Sequence, residues 1–222
     1  MNIATRQMME EPAAIQLIQK YGLKYPDHCW VTSAEEAAEF AAASNDPIVL
    51  KIISPQVIHK SDAGGVITGI VGAETAARQF REMIEKVKRT TPGAEIKGAL
   101  ACRQAEPGLE LIIGGLRDSV FGPTVMFGLG GIFTEVFKDV TFRIAPLDRI
   151  DAEEMLDEIK GRILLDGYRG QPAVDRNALA EALLAVGNIM LAEDDVEELD
   201  LNPVRVYPAG LLVLDARVIK KY

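Results

Sequence analysis

Metal-binding side chains are scarce in this sequence. It holds two cysteines, Cys29 and Cys102, and two histidines, His28 and His59, and none of the four has a partner at ligand spacing. That excludes zinc-finger and iron–sulfur scaffolds, and both cysteines read as reduced thiols. Basic runs are missing as well: the net charge is -9 and the pI about 4.9. Nucleic acid is therefore not expected as a partner. No apolar run reaches membrane-spanning length and the N-terminus has no signal-peptide pattern, so the expected setting is the cytoplasm, away from membranes. Internal repeats and low-complexity segments are lacking. There is no Walker A sequence, and Gly128-Leu129-Gly130-Gly131 does not complete a dinucleotide fingerprint. What remains is a globular composition, 48% hydrophobic and 26% charged over 222 residues. That is enough for one large domain or two lobes.

The densest signal lies between Glu106 and Leu147. Short apolar runs alternate there with glycines at 108, 114, 115, 122, 128, 130 and 131. Such runs read as buried strands with tight turns. Glycines also let backbone N–H groups approach a ligand closely. Acids lie among them: Glu106, Glu110, Asp118, Glu135 and Asp139. The combination fits a nucleotide–metal site built on a sheet, or a glycine-rich antiparallel sheet with solvated acids.

Around this stretch the pattern is mixed. A helix is expected from Pro12 to about Tyr21, with residues 1–10 as a lead-in. Ser33 and Glu36 form a capping box for a helix over 34–43. Strands are expected at 29–31, 48–53, 66–71, 96–102, 196–201 and 211–218. Helices are expected at 74–89 and 176–192, and a short one opens near Asp151 and Glu154. The hairpin-like order points to an α+β fold of two lobes rather than a doubly wound parallel sheet. The expected lobes are residues 1–103 and 104–222.

Few residues stand out for chemistry. Lys51 interrupts an apolar strand, which fits either a snorkelling lysine or a phosphate ligand. His59 opens the polar loop His59-Lys60-Ser61-Asp62-Ala63-Gly64-Gly65. It is either a surface histidine or a nucleophile that accepts a phosphoryl group. Asn202 and Asp215 interrupt two terminal strands and could offer oxygen ligands to Mg²⁺, or could simply be strand-end residues.

Six segments together resemble a known family: VLKIISPQVIHKSDAGGV (49–66), EPGLELIIGGLRDSVFGP (106–123), MFGLGGIFTEVFKDVTFRIAPL (126–147), LLDGYRG (164–170), and ELDLNPVRV (198–206) with VLDARV (213–218). The chain is similar to the β subunit, or ATP-grasp domain, of ADP-forming acyl-CoA synthetases, relatives of succinyl-CoA synthetase. The resemblance implies an ATP-grasp fold, two α/β lobes clasping ATP or ADP. It implies that Lys51 binds nucleotide phosphate and that Glu110, with Glu106 nearby, lies close to the nucleotide. Gly64, Gly65, Gly130 and Gly131 join that nucleotide site, with the loop at 128–131 supplying backbone donors. Asn202 and Asp215 match the family's Mg²⁺ ligands. His59 matches a histidine that relays a phosphoryl group. A separate α subunit is implied, carrying the CoA-binding domain and the first phosphohistidine, with CoA and the carboxylic acid bound through it. Two alternatives stay open: a degenerate or regulatory ATP-grasp domain like those of protein acetyltransferases, and a succinyl-CoA synthetase-like β subunit.

Overall fold

The computed structural model describes residues 6–57, 59–131 and 139–221. Two compact units emerge. One spans Pro26–Glu106; the other joins the residues up to Tyr25 to those from Pro107 onward. Every strand pairing described is antiparallel, as an α+β reading requires.

The smaller unit is a four-stranded sheet. Its strands are β2 (His28–Val31), β3 (Ile48–Ile53), β4 (Val66–Ile70) and β5 (Gly98–Arg103), in the order β2-β5-β3-β4. Two helices, α2 (Ala34–Ala43) and α3 (Ala73–Thr90), cover one face. Ile48, Leu50 and Ile52 alternate into the core formed with Ala37, Phe80, Met83 and Val87. Val49 and Lys51 fall on the opposite face by the same alternation. Ser33 starts α2 as expected, its Oγ accepting from the Glu36 N–H at 3.1 Å.

The larger unit is a seven-stranded sheet. It contains β1 (Arg6–Met8), β6 (Leu109–Asp118), β7 (Gly122–Leu129), β8 (Val140–Ile144), β9 (Val196–Val206), β10 (Leu211–Val213) and β11 (Ala216–Lys221). The order is β1-β11-β9-β6-β7-β8, with β10 also paired to β9. Its helices are α1 (Glu11–Lys20), α4 (Arg149–Glu158) and α5 (Arg176–Ala192), with a 3₁₀ turn at Lys160–Leu164. A Cβ on Gly115 would meet Met190 and Val186, which identifies the α5 side of the sheet. Leu111, Ile113, Phe127, Leu199 and Leu201 are fully or almost fully buried.

The two units differ from the expected lobes at both cuts: residues 104–106 fall in the smaller unit, and the residues up to Tyr25 fall in the larger one. Residues 6–8 are not a lead-in: they pair with β11, Met8 opposite Ile219, and α1 packs beside that strand. Burying Ile15 and Ile18 of α1 ties this segment to the larger unit. The short helix is also capped one turn earlier than expected, by Asp148 and Asp151 rather than Asp151 and Glu154.

Candidate functional site

The smaller unit presents Lys51, His59, Gly64, Gly65 and Glu106. Lys51 is half-buried on a central strand, opposite Leu100 on one side and Val66 on the other. The loop after β3 then folds back on itself. The Gly65 N–H donates to the Lys60 carbonyl at 2.7 Å, and the Gly64 N–H to the Ser61 carbonyl at 3.0 Å. Gly64 sits at φ 70°, where a side chain is strained. A Cβ on Gly65 would overlap Ile52 Cγ2. Both glycines are thus explained by the turn itself, and their N–H groups are engaged within it rather than offered to a phosphate. His59 is exposed at the start of the loop, and its carbonyl accepts from the Ala63 N–H at 3.2 Å. Glu106 is exposed on the segment between β5 and β6.

The larger unit presents Glu110, Gly130, Gly131, Asn202 and Asp215. Leu201 pairs with Ala216, and Val204 with Val213. Between these pairs Asn202 lies opposite Asp215, its N–H donating to the Asp215 carbonyl at 3.2 Å. Their neighbours Leu201 and Ala216 are buried, so alternation puts Asn202 and Asp215 on the face away from α5. The register between β6 and β9 shifts at the same place, from Ile113 opposite Leu201 to Leu111 opposite Val204. A bulge of this kind re-aims side chains without ending the strand.

Three residues beyond Asn202 on β9, Arg205 is ion-paired with Glu110 across the β6–β9 ladder. The Gly130 N–H donates to the Glu110 carbonyl at 2.9 Å. A Cβ on Gly130 would lie 2.9 Å from that carbonyl, so only glycine allows the approach. Glu110, Gly130 and Gly131 line one cavity of about 320 Å³ together with Gly108, Leu109, Leu129 and Leu164. The volume falls within the range of small-ligand sites.

The profile of a family described as an ATP-grasp domain matches residues 2–219. The chain is 41% identical to the β subunit of ADP-forming acetate–CoA ligase I of Pyrococcus furiosus, over 97% of this chain and 93% of that one. The chain belongs to the ATP-grasp domain family, alongside the β subunits of ADP-forming acetate–CoA ligases. Solved structures agree. Acetyl-coenzyme A synthetase 1 of Candidatus Korarchaeum cryptofilum, in complex with coenzyme A and Ca-AMPCP, superposes with a TM-score of 0.94. It is 48% identical, over 96% of this chain and 93% of that one. The same enzyme with coenzyme A and Mg-AMPPCP, its phosphohistidine segment pointing towards the nucleotide site, gives 0.84 at 44% identity, over 96% and 93%.

In this ATP-grasp chain the donor set suits a hard cation. Asn202 and Asp215 supply an amide and a carboxylate oxygen from opposed positions, and magnesium commonly takes one or two protein oxygens and completes its shell with phosphate and water. No group of three or more His, Cys, Asp or Glu able to hold a metal occurs among the described residues. No described helix is long and apolar enough to cross a membrane.

Two described acids of the glycine-rich stretch lie outside this grouping. Asp118 accepts from the N–H groups of Phe121 and Val120 at the β6–β7 turn, which hold its carboxyl below its usual range. Asp139 is buried and accepts from Lys160 N at 2.7 Å and Gly161 N at 2.8 Å, capping the 3₁₀ turn. Glu135 lies outside the described residues. Conversely, Asp200 was not singled out, yet it lies two residues before Asn202 on the same face, opposite Arg217. Burial pushes its carboxyl up; Arg217 opposes this and Glu198 adds to it. The signal was present in the alternation of Glu198, Asp200 and Asn202.

Proposed function

We propose that this chain is the nucleotide-binding β subunit of an ADP-forming acyl-CoA synthetase, catalysing acyl-CoA + ADP + phosphate ⇌ carboxylic acid + CoA + ATP. The reading is carried by near-full-length likeness to a ligase β subunit. Lys51, His59, Asn202 and Asp215 all lie inside the segments that carry the sequence resemblance. A separate α subunit then carries the CoA-binding domain and the first phosphohistidine, and the enzyme works in the cytoplasm, where CoA thioesters and ADP meet.

Lys51 holds the polyphosphate by charge, and Asn202 and Asp215 hold Mg²⁺. When bound, Mg²⁺ neutralises the polyphosphate. His59 attacks the γ-phosphorus of ATP in one direction: a P–N bond forms while the bond to the β-phosphate oxygen breaks and ADP leaves. In the other direction phosphohistidine 59 passes its phosphoryl group to ADP. Exposure of His59 suits a side chain that exchanges phosphate with another subunit. The named relatives are ligases, which favours this reading over a regulatory domain.

The test is ATP formation from acyl-CoA, ADP and phosphate in the presence of the α partner. His59→Ala abolishes it while Mg²⁺-dependent ADP binding persists. Full activity in that variant overturns the relay.

A further inference from the structure

Asp215 sits in a two-residue link between β10 and β11, and that link is gripped from the N-terminal segment. The Leu214 N–H donates to the Pro203 carbonyl at 2.9 Å. The Leu214 carbonyl accepts from the Tyr25 hydroxyl at 2.9 Å. The same hydroxyl lies 2.8 Å from Glu11 Oε1, so its single proton is shared between that carboxyl oxygen and the Leu214 carbonyl. One residue to either side, the Val213 N–H donates to the Lys24 carbonyl at 2.8 Å and the Asn202 N–H to the Asp215 carbonyl at 3.2 Å. Tyr25 and Glu11 are each only 7% exposed.

The Leu214 carbonyl belongs to the peptide plane that runs to the Asp215 Cα, and the Asp215 carbonyl, held by the Asn202 N–H, belongs to the next plane. With both planes held, the direction from which the Asp215 side chain departs is set. Glu11 is a costly residue to bury unless something holds it in place. It lies in the first turn of α1, where the helix dipole favours an acid, and it faces the Tyr25 hydroxyl. The pair is thus a rigid buried prop beneath the link, reaching it from a different part of the chain.

We propose that Tyr25, braced by Glu11, is a positioning residue that sets Asp215 for cation binding beside Asn202. This rests on the reading of Asn202 and Asp215 as Mg²⁺ ligands. Neither Tyr25 nor Glu11 touches the cation; each acts through the Leu214 carbonyl.

The experiment is calorimetric titration of the purified chain with ADP over a range of Mg²⁺ concentrations and in EDTA. Circular dichroism and the urea midpoint are recorded on the same samples. Tyr25→Phe raises the Mg²⁺ concentration for half-maximal binding by about tenfold, in line with groups that orient metal ligands. Binding in EDTA stays as in the parent. Should Tyr25→Phe not fold, the double variant Tyr25→Phe/Glu11→Leu removes both ends of the pair and leaves no unpaired carboxyl; the same shift is expected. Asp215→Asn, run beside them, separates the two layers. If Asp215→Asn shifts the Mg²⁺ dependence and the Tyr25 variants do not, the prop is overturned and the ligand reading stands. If Asp215→Asn shifts nothing, the ligand reading falls and the prop with it. Equal losses with and without Mg²⁺ in Tyr25→Phe also overturn the proposal, because they describe general damage.

Discussion

Arg117 Nη2 donates to the carbonyl of Met190 at 2.8 Å, in the last turn of α5. The same guanidinium reaches the carbonyls of Glu193 and Val196, each at 3.2 Å. Helix ends leave carbonyls without partners, and here a strand residue supplies the donors. Arg117→Met should lower stability in urea by about 1–3 kcal/mol, the cost of leaving such acceptors unsatisfied. Arg117→Lys should recover only part, since an ammonium lacks the planar fork. An unchanged urea midpoint in Arg117→Met would remove this cap from the account.

Gly65→Ala tests whether the double glycine serves the fold. The added methyl would overlap Ile52 Cγ2 on β3, and the Gly65 carbonyl accepts from the Ile52 N–H at 2.7 Å, so the loop cannot easily move off. Overpacking of this kind costs about 1–3 kcal/mol. The urea midpoint should fall accordingly. A chain of parental stability that has lost ADP binding would instead assign the glycine to the ligand.

Asp200 gives a pH dependence with a definite sign. Burial raises its folded-state value above the unfolded one, which lies near about 3.9. Its contribution to stability is therefore fully present below the unfolded value and lost as the pH rises through the raised folded value. Asp200→Asn removes that loss. The melting temperatures of variant and parent should nearly coincide at acid pH, and the variant should melt higher at neutral pH. A gap that does not grow with pH contradicts the burial assignment.

Local chemistry was legible wherever one residue type decides an element. Ser33 and Glu36 mark the start of α2, although the Glu36 carboxylate turns to the Thr32 N–H, at 2.6 Å, and completes no strict box. The spans of α2 and α5 follow directly from their caps and apolar spacing. β9 runs past the expected end at Leu201 to Val206, because the bulge opposite β6 accommodates Asn202 and Pro203. Long-range partners were not legible. No local pattern shows that Arg6–Met8 will pair with β11, that Arg205 will take Glu110, or that Tyr25 will reach Leu214, because each depends on contact between residues far apart in the sequence. The glycines were read for their nearness to a ligand, whereas Gly64 is accounted for by its φ of 70° and Gly65 by Ile52, which lies where a Cβ would go.

The central claim is that this chain binds a nucleotide through Mg²⁺ held by Asn202 and Asp215. Calorimetric titration of the chain with ADP, with Mg²⁺ and then with EDTA, tests it most directly, alone and with the α partner present. The account predicts binding that weakens sharply on chelation and is lost in Lys51→Ala. Absence of Mg²⁺-dependent binding in both preparations would contradict it.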